Sequence, residues 1–386
     1  MVKRKKIGLI YQYNENWIGG TYYIQNLIFA LNRLDNDEKP ILIIICEDIK
    51  AYNDLKKATN YPFMVLRGLL RKPLLCVRII NKFSRIFFFN NIFKNIRYNN
   101  FTDIDILFPA IEHDAFIKVK YKLFWLPDLQ EHFYPDFFTK DEIEFRLKQQ
   151  KNLIVNNSMI LFSSKTALNH FNQIYGSDSN QKFVLPFTVN INHVEEIVYS
   201  DIRNKYNIVG DYFICCNQFW QHKNHIVIFD ALRLLKNKGI AIQVILTGKE
   251  ADYRDSSHFQ KLKERIKELN VEENIKFLGF INRADQIELL KNSIAVIQPS
   301  LFEGWSTIVE DAKALNIILL CSDIPVHKEQ LEDYPNKFFF QATNPIDLGQ
   351  KIQPLIRSCK KVYYNYEVIQ YQHSKALKDI IQSICN

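Results

Sequence analysis

Residues 293–330 read SIAVIQPSLFEGWSTIVEDAKALNIILLCSDIPVHKEQ. The apolar run 295–297 is too short for a helix and stops at Gln298-Pro299-Ser300, so it reads as a buried strand ending in a turn. A polar loop through Glu303-Gly304 follows. Over 307–315 the apolar positions fall at helical spacing, and a second β-branched run, 317–321, closes the unit. A strand, a helix and a strand in that order form a crossover between parallel strands, with the helix covering one face of the sheet.

The same rhythm runs outward in both directions. In the first half, strands are expected at 7–11, 41–46, 104–108, 122–126, 159–162 and 183–185. In the second half they are expected at 212–216, 243–247, 275–278, 295–297, 317–321 and 338–340. Helices fit between them at 21–33, 141–156, 226–236, 259–269 and 307–315. The repetition favours two doubly wound α/β domains, Rossmann-like in pattern, over one large sheet. The polar stretch 190–206 marks the boundary, giving a first domain over 1–190 and a second over 191–365. A final helix over 366–384 follows the second sheet. Ligands of such sheets bind where loops leave the carboxyl ends of the strands, here between the domains.

At 386 residues the chain can bury two cores, and 47% hydrophobic with 24% charged residues describes a globular protein. The seven cysteines are scattered through apolar runs with no CxxC pair, and read as buried thiols in a reducing, cytoplasmic compartment. MVKRKKIGLIYQY is basic, but its apolar run is too short for a signal peptide, and no stretch reaches the length of a membrane span. A soluble or peripheral protein is expected. The net charge of +8 is uneven: between Asp54 and Asp103 stand ten Lys or Arg and no acid, interleaved with Phe, Ile and Leu. That mixture suits a surface resting on an anionic membrane, and equally a pair of helices with solvated cations. No nucleic-acid motif accompanies it, so a nucleic-acid partner is not expected.

The loop 298–307 has the features of an anion site. Gly304 lets a backbone approach a ligand closely. Ser306 or Thr307 can cap the helix, whose free amides and positive dipole end favour a negative group. Glu303 lies before the helix and Glu310 and Asp311 one turn inside it, where a carboxylate can accept from a ribose diol. A capped surface helix with solvated acids is the other reading of the same residues.

PSLFEGWSTIVEDAKAL resembles the donor-site signature of the family 4 retaining glycosyltransferases, a Glu, seven residues, then a second Glu, with the shorter Asp311 at the second position here. The resemblance implies the two-domain GT-B fold, with the donor on the second domain, the acceptor on the first and the last helix returning to the first domain. It places Glu303 at the donor sugar, Gly304, Trp305, Ser306 and Thr307 at the phosphates, and Asp311, or Glu310 beside it, at the ribose. CCNQFWQHKNHIVIFDALRLL, residues 215–235, matches a second family segment, which usually carries Gly-Arg and then a Lys. Here Asn217-Gln218 stands in place of Gly-Arg, and Lys223 keeps the spacing. Lys223 is thereby expected to neutralise the leaving diphosphate, with one cation of the family pair absent. His222 and His225 have the spacing of metal ligands, but no third ligand accompanies them, and His225 is expected to pack or cap.

Gly248 and Gly279 end strands at places where family loops flank the nucleotide base. Trp17-Ile18-Gly19-Gly20-Thr21 looks like the family's glycine-rich loop facing phosphates and acceptor. WLPDLQEHFYPDFF, residues 125–138, is similar to an acceptor-side segment and offers Asp128 or His132 as a catalytic or orienting group. Ser163-Ser164-Lys165 resembles a further loop. The resemblance implies transfer of a sugar from a nucleotide-sugar donor to a hydroxyl of a glycan or lipid-linked acceptor, with retention and without cofactor or metal. It points to cell-surface polysaccharide assembly at the inner face of the membrane. The rival is a catalytically inactive GT-B partner subunit, for which Gln218 and Asp311 speak.

Overall fold

The structure is a computed structural model that describes residues 4–11, 18–46, 48–69, 76, 80, 101–110, 119–177, 180–191, 197–252, 254–357 and 360–385. Trp17 lies outside these residues, as do Arg71, Lys72, Arg78, Lys82 and Arg85 of the acid-free stretch.

Among the described residues, thirteen strands form two parallel sheets. The first contains β1 (Lys6–Tyr11), β2 (Ile41–Cys46), β3 (Met64–Leu69), β4 (Ile106–Ala110), β5 (Tyr121–Leu126), β6 (Met159–Phe162) and β7 (Lys182–Val184), in the order β3-β2-β1-β4-β5-β6-β7. The second contains β8 (Tyr212–Cys216), β9 (Gln243–Thr247), β10 (Ile275–Phe277), β11 (Val296–Gln298), β12 (Leu319–Ser322) and β13 (Lys337–Phe340), in the order β10-β9-β8-β11-β12-β13. Each order reverses once, between β1 and β4 and between β8 and β11, which opens a crevice at the carboxyl ends there.

The unbroken apolar runs follow from burial on both faces. In β2, Leu42, Ile44 and Cys46 join one core cluster, while Ile43 and Ile45 join the cluster on the opposite face. In β8, Phe213 and Cys215 divide from Tyr212 and Ile214 in the same way. Strand β3 was not expected from the sequence. It is an edge strand whose Met64 is buried while Val65 stands exposed, so its one-sided pattern is weak. Of the seven cysteines read as buried, Cys46, Cys215, Cys321 and Cys385 are, Cys216 is half-buried, Cys76 is exposed, and Cys359 lies outside the described residues.

The helix Tyr366–Cys385 crosses between the domains. At its start the Tyr366 hydroxyl donates to Glu310 Oε2 at 2.6 Å, in the second domain. At its end Leu377, Ile381 and Ile384 enter the first domain's core, and Lys378 pairs with Glu38 at 2.9 Å. Further contacts join the domains. Glu329 accepts from the amides of Lys165 and Thr166, at 2.7 and 2.9 Å, where a first-domain helix begins. Trp305 packs against the first core, its Nε1 donating to Phe187 O at 3.0 Å. These are two Rossmann-like domains in the GT-B arrangement. No helix among the described residues is long and apolar enough to cross a membrane.

Candidate active site

A cavity of about 790 Å³ lies between the carboxyl ends of the two sheets. The loops after β8 and β11 form its second-domain wall, and the segment after β5 forms the wall opposite.

The loop after β8 makes one 3₁₀ turn, Gln221–Lys223, and then reverses at Asn224, whose φ of 52° is left-handed. Asn224 Nδ2 pins this reversal by donating to Pro299 O at 3.1 Å and Ala342 O at 2.7 Å. The turn thereby aims Lys223 at the loop after β11, and its Nζ meets Glu303 Oε1 at 2.5 Å. The same oxygen accepts from Ser300 Oγ at 2.7 Å and Gln298 Nε2 at 2.9 Å. Gln298 Oε1 in turn accepts from Asn217 Nδ2 at 2.9 Å. Burial would raise the Glu303 carboxyl, but the Lys223 charge and these donors outweigh it and hold the group below its ordinary value. Glu303 is therefore a carboxylate at neutral pH. All its bonds fall on Oε1, and Oε2 has no partner among the described residues.

Glycine is required at two positions here. A Cβ on Gly304 would lie 2.2 Å from Pro127 O across the domain boundary. A Cβ on Gly248 would lie 2.0 Å from Asn217 O, so the loops after β8 and β9 are pressed together. Behind Glu303, His327 is fully buried, and burial pushes its pKa to about 4, so it is neutral. His222 is buried in the cavity wall. Burial, and then the charges of Lys223 and Arg254, push it well below the usual imidazole range. His225 stacks on Phe219 with centroids 4.6 Å apart and is likewise neutral. Among the described residues no three His, Cys, Asp or Glu side chains are grouped to hold a metal ion.

The structure brings most of the residues singled out in the sequence to this one cavity. Glu303, Gly304, Trp305, Ser306 and Thr307 line it from the loop after β11. Asn217, Gln218, Lys223 and Gly248 line it from the loops after β8 and β9, and Gly19 and Asp128 line it from the first domain. Ser306 is the N-cap of the helix Thr307–Ala314, but its side chain makes no capping bond; its amide donates to Gln330 Oε1 at 3.1 Å.

Five residues stand elsewhere. Gly20 is buried in the first helix, and Gly279, at φ 66° in the loop after β10, supports the loop after β9 by accepting from Gly248 N at 2.9 Å. His132 does not line the cavity because Gln150 Oε1, 2.9 Å from its Nε2, holds the ring beside Tyr175. Asp311 is buried against Arg283, which donates to both of its oxygens at 2.6 and 2.5 Å. Glu310 is buried among Lys313, Gln330 and Tyr366, where it ties the returning helix to the second domain. The sequence reading missed Arg146 and Arg254, cations that reach the cavity from the helix Lys140–Val155 and from the loop after β9. Neither stands in a patterned motif, and only the fold brings them near Lys223.

Residues 199–365 match the family described as Glycosyl transferases group 1. Among curated proteins, the chain is 26% identical over 208 residues to the O-antigen chain mannosyltransferase RfbU of Salmonella typhimurium, an alignment covering 53% of this chain and 52% of that protein. The chain thus spans about half the length of that relative. Among solved structures, HepE of Anabaena, in complex with UDP and glucose, superposes with a TM-score of 0.61 at 15% identity, covering 99% of this chain and 97% of that one. A glycosyltransferase from Rickettsia africae superposes with a TM-score of 0.60 at 14% identity, covering 99% and 93%.

Proposed function

The second domain belongs to the group 1 glycosyl transferases, and from that premise we propose that the chain transfers a sugar, with retention, from a nucleotide-sugar donor to a hydroxyl of a glycan or lipid-linked acceptor. The observation that carries this reading is the Lys223–Glu303 pair at the head of the cleft. Lys223 is placed to meet a diphosphate leaving group, whose negative charge grows as the glycosidic bond breaks. Glu303, kept ionised, has one oxygen left for a sugar hydroxyl or for the positive charge developing at the anomeric carbon. Trp305, Ser306 and Thr307 line the cavity where the helix Thr307–Ala314 begins, and the positive end of its dipole favours phosphate there.

Asp128 and the first-domain wall then hold the acceptor. As the family resemblance implies, the reaction is expected to need no divalent ion; Lys223, Arg146 and Arg254 are the cations that line the cavity. The O-antigen role in the name of RfbU supports a setting in cell-surface polysaccharide assembly, and the acid-free stretch supports work at the inner face of a membrane.

A thermal-shift screen against UDP-, GDP-, ADP- and CMP-sugars, followed by assays of donor hydrolysis and transfer, tests the proposal. Glu303→Ala and Lys223→Ala should each cost about a hundredfold in turnover while the protein stays folded. Wild-type turnover in either variant would remove the assignment. Donor binding with no turnover by the wild type would favour an inactive partner subunit.

A further inference from the structure

We propose that Arg254 is the second cation that grips the donor diphosphate, working beside Lys223 from the neighbouring loop; this rests on the donor-site reading above.

Lys223 alone brings little net charge to the cavity, because Glu303 sits 2.5 Å from its ammonium. A diphosphate that leaves with two or more negative charges needs a further positive group on the same wall. Gln218 lines that wall without charge, and its Oε1 accepts from Lys249 N at 2.9 Å. Arg146 also reaches the cavity, but it belongs to the first domain and is held by Glu131 at 3.2 Å and Asp128 at 3.6 Å.

Arg254 is placed by a rigid piece of backbone. Gly248 packs directly on Asn217, and Phe219 N donates to Lys249 O at 3.4 Å. Asp252, buried, then bridges the two loops: Oδ1 accepts from Arg254 N at 3.0 Å and Oδ2 from Gln221 N at 3.3 Å. The loops after β8 and β9 therefore move as one unit. The Arg254 guanidinium lies over the Trp220 ring, 5.0 Å from its centroid, and over Phe138 of the first domain at 4.3 Å. Trp220 stands one 3₁₀ turn from Lys223, whose amide donates to Trp220 O at 2.9 Å.

The two rings hold the guanidinium at this place on the cavity wall. A planar guanidinium can match two phosphate oxygens with a fork of N–H donors in a way that a lysine cannot. His222, buried in the same wall, is held neutral by burial and by the charges of Lys223 and Arg254, and so adds no third charge there.

The test is calorimetric titration of UDP, GDP, ADP and dTDP, and of their monophosphates, into wild type, R254Q and R254K. For any diphosphate that binds the wild type, R254Q should weaken binding about tenfold to a hundredfold. The monophosphate should lose much less, and the acceptor KM should not change. R254K keeps the charge without the fork and should fall between the two. If R254Q does not fold, R254K carries the same comparison of diphosphate with monophosphate. Equal losses on both nucleotides would mark a merely structural arginine, and a raised acceptor KM with diphosphate binding intact would assign Arg254 to the acceptor; either result overturns the inference. A wild type that binds none of the four diphosphates would instead bring down the donor-site reading on which it rests.

Discussion

Gly304→Ala tests the domain contact at the head of the cleft. The added Cβ would sit 2.2 Å from Pro127 O and 3.1 Å from Asp128 Cβ, whereas real Cβ contacts under 3.0 Å essentially never occur. Backbone lies on both sides of the closest contact, so no side chain can swing away to relieve it. The segment after β5 and the loop after β11 must separate by about 1 Å. That displacement falls between Asp128 on the acceptor wall and Glu303 on the donor wall, and a misplacement of about 1 Å between reacting groups costs on the order of a hundredfold in rate. It also loosens Trp305, whose Nε1 is bonded to Phe187 O at 3.0 Å. The variant should therefore lose about a hundredfold in kcat/KM for transfer. Its nucleoside diphosphate affinity should fall by much less than transfer does, because the Lys223–Glu303 pair and its supports all lie in the second domain. Steady-state kinetics and titration of the same preparation give both quantities. Wild-type transfer by the alanine variant, or an equal loss in diphosphate affinity, would refute the reasoning.

Turnover should survive excess EDTA, and loss of activity restored by manganese would show that a metal does the work assigned to Lys223. Stability should depend on pH through neutral buried histidines: burial lowers His225 to about 3 and His327 and His373 to about 4. Their folded values lie below the ordinary 6.5, so the unfolded chain takes up protons first. Their contribution is complete above that value and is lost as pH falls from it towards about 4, at up to about 2 kcal/mol per histidine by about pH 5. Melting temperatures that stay flat over that interval would contradict this. Vesicle co-sedimentation should require anionic lipid and weaken with salt, each cation of the acid-free stretch contributing about 1 kcal/mol. Replacing Arg71, Lys72, Arg78, Lys82 and Arg85 with Gln should release the protein, and equal binding to neutral vesicles would return the stretch to a solvated surface.

The sequence by itself determined the elements and the local chemistry. Buried parallel strands are apolar on both faces, so β2, β8 and β11 announce themselves as short unbroken runs whatever surrounds them. The strand–loop–helix at 296–314 is likewise local, and with it the placement of Glu303 and Gly304 before a helix N-terminus. Lys223 was legible through the family resemblance of the segment 215–235. Its meeting with Glu303, 80 residues away, was not, because it depends on β8 and β11 being neighbours in the sheet. The same long-range placement decided the remaining acids. Glu310 and Asp311 are adjacent on one helix, yet Tyr366 claims the first and Arg283 the second, partners that come from distant segments. It also drew His132 to Gln150 and Tyr175, and carried Arg254 onto Trp220 beside Lys223. Periodicity and capping are set within a few residues of the chain. Which charge meets which is set by sheet order and by the packing of two domains, and no local pattern encodes that.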